Sequence, residues 1–427
     1  MDIKSLYQNY LRAGKVSTDT RKIEPGSLFF ALRGEKFNAN EFAEEALNRG
    51  ASLAVIDEER YRKDDRFVLV EDVLKTLQEL ARYHRKQLTI PIVGLTGSNG
   101  KTTSKELLHA VLSTKYSAFA TQGNLNNHIG VPLSVLSITP ETEIAVIEMG
   151  ANHVGEIALL CSIAQPTHGF ITNIGKAHIG TFGGFDNIIR GKSELYHYLI
   201  QHDGVVFINS QNHILFNMSK RFKSPLFYPA PGDYYHCELL SADPFVRFKA
   251  EDGAVVETHL VGQYNFENIA AALCIGKYFN VDSALAQQAI AKYIPVNMRS
   301  QVVKKGTNTI ILDAYNANPT SMAAAIANLA GMKTGNKVLI LGDMFELEEE
   351  AEKEHRAIGA LIRDLGFTEV YLCGALMTAA QKEFPRAKHF FKKEELLEYL
   401  GKNPPEQAAI LVKASRGIGL EAVMDVL

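Results

Sequence analysis

At 427 residues the chain exceeds what one ordinary core holds, so two or three domains are expected. Hydrophobic residues at 46% and charged residues at 22% are ordinary for a globular protein. A formal net charge of −3 argues against nucleic-acid or anionic-membrane binding driven by bulk charge.

The four cysteines, Cys161, Cys237, Cys274 and Cys373, are scattered without metal-ligand spacing, which points to free buried thiols in a reducing compartment. The start Met1-Asp2-Ile3-Lys4 has no signal-peptide core. No stretch approaches ~18 uninterrupted apolar residues. A cytoplasmic protein without a membrane span is expected, with monomer as the default state.

Residues 1–86 read as a small α/β head domain. It has strands at 27–32 and 52–57, a helix at 41–49 capped by Asn40, and a helix at 71–87 with Leu74, Leu77, Ala81 and His84 on one face. Residues 87–297 alternate strands at 92–95, 144–149, 169–174 and 205–209 with helices at 101–113, 154–164 and 188–200, the pattern of a doubly wound sheet. Short alternating runs from 234 to 261, with Glu251-Asp252-Gly253 as a hairpin turn, suggest an antiparallel appendage. Helices at 267–279 and 283–294 close the domain. Residues 298–427 alternate again, with strands at 309–313, 337–341, 369–373 and 409–413 and helices at 319–330, 350–365, 375–383 and 393–400. The expected fold is α/β in three domains: head, central nucleotide-binding sheet and a Rossmann-like third domain.

The apolar run Ile92-Val93-Gly94-Leu95 turns through Thr96-Gly97-Ser98-Asn99-Gly100 into Lys101-Thr102-Thr103 and a helix. Strand, glycine loop and helix make a phosphate site, because loop amides and the helix N-terminus offer partial positive charge to an anion. Lys101 reaches outer phosphates, and the Thr102 hydroxyl is a Mg²⁺ ligand. The strict spacing G-x-x-x-x-G-K-[ST] fails from Gly94, so Gly97 is the working glycine.

Ligands collect at the carboxyl ends of strands in open α/β sheets. Glu148 ends one strand, either as a Mg²⁺ ligand or as a helix cap, with the ligand favoured. His178 follows another strand end, as a metal ligand or as a structural histidine. On periodicity alone Lys192 and Glu194 are solvated charges inside a helix. Gly123-Asn124-Leu125-Asn126-Asn127-His128 is either a polar substrate loop or a turn-rich connector. Of Asn265 and Asn268, one caps a helix or reads a base, and capping is the better fit. Asp313-Ala314-Tyr315-Asn316 and Gly342-Asp343 place polar groups at strand ends of the third domain, as a second wall for the nucleotide.

Together, T-G-S-N-G-K-T-T at 96–103, G-N-L-N-N-H-I-G-V-P at 123–132, D-A-Y-N-A-N-P at 313–319 and the tail K-A-S-R-G at 413–417 resemble the Mur ligase family, ATP-dependent amide-forming enzymes of peptidoglycan synthesis. The resemblance covers essentially the whole chain. The second and third motifs match members that join D-alanyl-D-alanine to UDP-N-acetylmuramoyl-tripeptide (UDP-MurNAc-tripeptide) through an acyl phosphate. Sister ligases and folylpolyglutamate synthases differ at both.

The resemblance implies ATP as the nucleotide, with Lys101 on its β/γ-phosphates and Thr96, Gly97, Ser98, Asn99, Gly100 and Thr103 completing the loop. It implies two Mg²⁺ ions, one on Thr102 and Glu148 and one on His178 with a carbamylated Lys192. Asn268 would meet adenine, Arg299 and Asp313 phosphate and ribose, and Tyr315 and Asn316 the nucleotide wall. Ser17, Asp19, Thr20 and Arg21 would hold the UDP-sugar, and Asn124, Asn126 and Asn127 the substrate. Many relatives carry an acidic residue where this chain has Leu312 and a glycine where it has Met298. Competing readings are another ligase of the family or a folylpolyglutamate-synthase-like ligase, a phosphotransferase and a non-catalytic nucleotide scaffold.

Overall fold

The computed structural model describes residues 2–427. In the head, Val16–Ser17, Leu28–Phe30, Leu53–Ile56 and Phe67–Leu69 form a parallel sheet in that order. Alternation sends Leu28 and Phe30 to one core and Phe29 to the other. The helix Val73–Gln87 begins at Asp72, whose side chain accepts from Lys75 N at 2.8 Å.

That helix also fastens the head to the central domain. Gln78 donates to the His128 carbonyl, the His84 ring bonds the Ile138 carbonyl, and the Arg85 guanidinium meets the carbonyls of Ala164 and Gln165. Leu77 and Leu80 share one continuous core with Val131, Val135 and Ile157. Anything held by the head therefore sits at a fixed offset from the central sheet.

The expected Asn40 cap is not made. A 3₁₀ turn, Ala39–Phe42, precedes the helix Ala43–Asn48, and its cap is Asn38. Asn40 is buried and donates to Asp57 Oδ1, so its amide closes a polar cluster rather than a helix end. The helix Ile3–Ala13 and the short strands at 16–17 and 67–69 had no expectation in the sequence.

The central sheet is parallel throughout, in the order Leu226–Tyr228, Val205–Asn209, His168–Ile171, Ile92–Thr96, Ile144–Glu148, Ala118–Ala120. The chain leaves Ile92–Thr96 for the far edge, returns to Ile144–Glu148, then crosses to His168–Ile171. Its direction reverses at the phosphate-loop strand, where ligand crevices form. The appendage is a three-stranded antiparallel sheet, Glu238–Ala242, Phe245–Lys249 and Val255–Val261.

The third domain is a six-stranded sheet in the order Gln301–Lys305, Asn308–Asp313, Ala408–Lys413, Asn336–Gly342, Glu369–Cys373, Lys388–Phe390. Only the first pair is antiparallel. No helix among the described residues is long and apolar enough to cross a membrane.

Candidate active site

The strand Ile92–Thr96 is fully buried and delivers its chain to a loop that only glycine can make. Gly97 has φ +147°, and a Cβ there would lie 2.0 Å from Thr172 Oγ1. Gly100 has φ +78°, and a Cβ would lie 2.5 Å from Asn268 Oδ1. Both the left-handed backbone and the close approach exclude a side chain. The loop is held from outside: Ser98 N donates to the Asn173 carbonyl, Asn99 N to Asn173 Oδ1, and Thr172 Oγ1 to the Asn99 carbonyl.

Lys101 opens the helix Lys101–Leu112 and folds its ammonium back over the loop, 2.7 Å from the Gly97 carbonyl. Desolvation lowers its pKa, against the attraction of Glu148, while the Arg299 cation lowers it further. An incoming phosphate therefore meets a poorly compensated ammonium.

Glu148 ends the neighbouring strand with 1% of its surface exposed. Oε1 accepts from Asn126 Nδ2 at 2.8 Å and lies 3.4 Å from the Thr102 hydroxyl. Oε2 has no hydrogen-bond partner, and Lys105 Nζ stands 3.8 Å away. A buried carboxylate oxygen without a donor needs a cation. Glu148 and Thr102 supply the hard oxygens that Mg²⁺ prefers. Among the described residues no cluster of three acidic, histidine or cysteine side chains forms a cage, so a metal here would complete its shell with phosphate and water oxygens.

The third domain forms the opposite wall of one cleft of about 580 Å³. Arg299 lies 3.8 Å over one side of the Tyr315 ring system and Arg416 5.0 Å from the same ring centroid. Arg299 Nε is buried without a hydrogen-bond partner. Arg299 and Tyr315 both line the cleft, and a guanidinium beside an aromatic ring suits an anion or a planar base. Asp313 is engaged by Lys413 Nζ at 2.5 Å and by Ser300 N at 3.1 Å. The Asn316 carbonyl accepts from the same lysine.

Of the sequence candidates, Ser98 to Thr103, Asn124, Asn126, Asn127, Glu148, His178, Asn268, Arg299, Asp313, Tyr315 and Asn316 all line this cleft. Within the asparagine loop, Asn127 Oδ1 accepts from the amides of Ile129 and Gly130 and closes the turn, while Asn126 donates to Glu148. Asn268 caps nothing. It sits inside the helix Tyr264–Tyr278, accepting from Ser104 Oγ and donating to Asn265 Oδ1, pressed against Gly100. His178 Nδ1 stands 2.6 Å from Glu346 Oε2 of the third domain.

Lys192 and Glu194 are not solvated as their helical position suggested. Lys192 is 1% exposed and donates to the Ala151 carbonyl at 2.9 Å, behind the cleft wall. Burial, then the nearby Lys101 cation, push its pKa well below the usual lysine range, although Glu156 and Glu194 pull it back. Glu194 accepts from Gly155 N and Ala158 N at the start of the helix Glu156–Ala164. Burial shifts Lys192 toward the neutral amine, the nucleophile that CO₂ requires, so the residue fits a carbamate.

Asp19, Thr20 and Arg21 stand apart, in a head-domain cleft of about 410 Å³ shared with Phe37 and Phe42. Those rings stack at 5.7 Å, with Phe37 56% exposed. Ser17 lies behind it, its hydroxyl bonded to the Asp19 backbone. The Arg21 guanidinium beside Asp19 holds that carboxyl down at about 2. Lys105 and Glu346 were missed: both lie in helical or acidic runs that look like ordinary solvated faces.

Three family domains match in order: Mur ligase family, catalytic domain, over 14–85; Mur ligase middle domain over 95–276; and Mur ligase, glutamate ligase domain, over 298–416. The UDP-N-acetylmuramoyl-tripeptide–D-alanyl-D-alanine ligase of Bacillus subtilis is 36% identical, over 96% of this chain and 92% of that protein. A MurF crystal structure from Acinetobacter baumannii superposes with TM-score 0.87 at 30% identity, covering 98% of this chain and 97% of its own. MurF ligase from Thermotoga maritima, solved in complex with ADP, gives TM-score 0.85 at 28% identity, covering 97% of each chain. The order of the three matched domains and the full-length identity place this chain in the Mur ligase family.

Proposed function

We propose that the chain joins D-alanyl-D-alanine to UDP-MurNAc-tripeptide, with ATP converted to ADP and phosphate, in the cytoplasm. The carrying observation is one cleft that gathers the phosphate loop, a Glu148 oxygen without a hydrogen-bond donor and the Arg299–Tyr315 pair. The full-length relatives of that named activity support the same reading.

In this reading residues 1–86 hold the UDP-sugar, 87–297 hold ATP, and 298–427 cover it. The terminal carboxylate of the tripeptide attacks the γ-phosphorus, the bond to the β-phosphate oxygen breaks and ADP leaves. The amine of D-alanyl-D-alanine then attacks the acyl carbon, and phosphate departs as the amide forms. Two anions must meet in the first step. Lys101 and the loop amides bind the triphosphate and stabilise charge on the transferring group. Mg²⁺, when bound, supplies further charge neutralisation, with Thr102 and Glu148 holding one ion and His178 and a Lys192 carbamate a second.

The stacked Phe37 and Phe42 rings offer a face to uracil beside Asp19 and Arg21. Remote binding there orients the carboxylate, because the head is fixed to the central sheet by the helix Val73–Gln87. The third-domain wall excludes water that would hydrolyse the acyl phosphate.

A phosphotransferase would share the loop but needs no amine. Phosphate release measured with ATP, Mg²⁺ and UDP-MurNAc-tripeptide should require D-alanyl-D-alanine. Sustained release at the same rate without it would remove the ligase reading.

A further inference from the structure

Arg299 reaches the cleft from a linker, Tyr293 to Ser300, that joins the helix Ser283–Lys292 to the first strand of the third domain. The backbone turns left-handed on both sides of it, at Met298 with φ +51° and at Ser300 with φ +51°. Neither residue is glycine, so these conformations persist only where neighbours over-determine them.

Around Arg299 the linker is held by the third domain and by the helix Tyr264–Tyr278 of the central domain. Ser300 N donates to Asp313 Oδ1, Ser300 Oγ pairs with the Tyr264 hydroxyl at 2.7 Å, and Tyr315 N donates to the Met298 carbonyl. Farther toward the N-terminus the linker is held by Glu106 of the phosphate-loop helix. Its Oε2 accepts from the Tyr293 hydroxyl and its Oε1 from Asn297 Nδ2 at 2.9 Å.

Glu106 lies on the helix Lys101–Leu112, one turn beyond Thr103, and Thr103 lines the nucleotide cleft. Residues three apart share a helix face. The helix that begins at the phosphate loop therefore presents Thr103 to the cleft and Glu106 to the linker behind it. The Arg299 charge is felt both by Lys101 in the loop and by the Tyr293 hydroxyl.

We propose that Glu106 is a positioning residue: by clamping Tyr293 and Asn297 it sets the linker so that Arg299 meets the nucleotide held by the loop of its own helix. It touches no substrate and acts through Arg299. This rests on the reading that the cleft binds ATP and that Arg299 contacts it.

The test is a double-mutant cycle on the full-length enzyme, followed by phosphate release at varied ATP with the other substrates saturating. Glu106→Ala should raise the KM for ATP about tenfold, ~1.4 kcal/mol, with the KM for UDP-MurNAc-tripeptide unchanged. Glu106→Gln keeps one acceptor and a donor, and should recover most of that loss. Tyr293→Phe removes one clamp bond and should shift the ATP KM in the same direction. In an Arg299→Ala background, Glu106→Ala should change the ATP KM by less than about twofold.

Equal effects of Glu106→Ala with and without Arg299 would overturn the positioning role while leaving Arg299 as a nucleotide contact. So would a wild-type ATP KM in Glu106→Ala beside a raised one in Arg299→Ala. A wild-type ATP KM in Arg299→Ala overturns the assignment of Arg299 itself, and the proposal with it.

Discussion

Asn318 of the third domain donates from Nδ2 to Asn99 Oδ1 at the tip of the phosphate loop, 2.7 Å away. Asn318 also caps the helix Pro319–Gly331, accepting from Ser321 N. The same side chain therefore starts a helix and touches the loop from across the cleft. Asn99 Nδ2 stays without a partner. It is a donor held ready in the site, because its backbone is fixed by Asn173 and Thr172.

Asn318→Asp separates the two roles. Aspartate caps as well as asparagine, so stability to urea should change by less than about 1 kcal/mol. The donor to Asn99 is lost, and a carboxylate now faces the phosphate site. The ATP KM should rise about tenfold. Asn318→Ala should add a capping loss of ~1 kcal/mol in the same unfolding experiment.

Lys192 gives a signed pH dependence. Its folded pKa lies well below the ordinary value of 10.5, chiefly through burial. Between the two values the unfolded chain binds more protons, so stability rises with pH there. The destabilisation is full below the folded pKa and vanishes above 10.5. Lys192→Met should therefore be more stable than the parent in CO₂-free buffer at neutral pH. That advantage should shrink as pH rises toward 10.5 in a series of denaturant titrations. A gap that widens with pH would contradict this account of the lysine. Lys192→Met should also lose activity and its response to bicarbonate.

The head cleft predicts a substrate-selective defect. Phe37→Ala removes one ring of the exposed stacked pair. It should raise the KM for UDP-MurNAc-tripeptide about five- to hundredfold, since a base–aromatic stack is worth about 1–3 kcal/mol, and leave the ATP KM unchanged. A defect in both would mean that the ring supports the fold instead.

Met298 has φ +51°, the left-handed region that favours glycine. Met298→Gly loses side-chain contact with the third-domain core but relieves the left-handed strain, so stability should move by less than about 1 kcal/mol. Met298→Val, branched at Cβ, should cost about 1–3 kcal/mol in urea unfolding.

Elements whose signal is local were legible in the sequence. Val205–Asn209 and Glu369–Cys373 fall where alternation and apolar runs put them, and the phosphate loop was legible because its glycines meet a strand and a helix. Val16–Ser17 and Ala118–Ala120 were not, because two- and three-residue edge strands carry no period. Asn40 and Asn268 looked like caps, since the preference for asparagine at helix starts is the same whether its amide ends up at a cap or in a buried tertiary network. Glu106 and Lys192 were illegible for a related reason. A charge in a helix looks solvated until the partner element, far off in sequence, is known.

The central claim is that the loop presents the γ-phosphate of ATP to a carboxylate carried by the UDP-linked substrate. It is tested most directly with UDP-MurNAc-tripeptide bearing heavy oxygen in its terminal carboxylate. After turnover with ATP, Mg²⁺ and D-alanyl-D-alanine, the account predicts one labelled oxygen per released phosphate, seen by mass spectrometry. Unlabelled phosphate beside newly formed amide would contradict it.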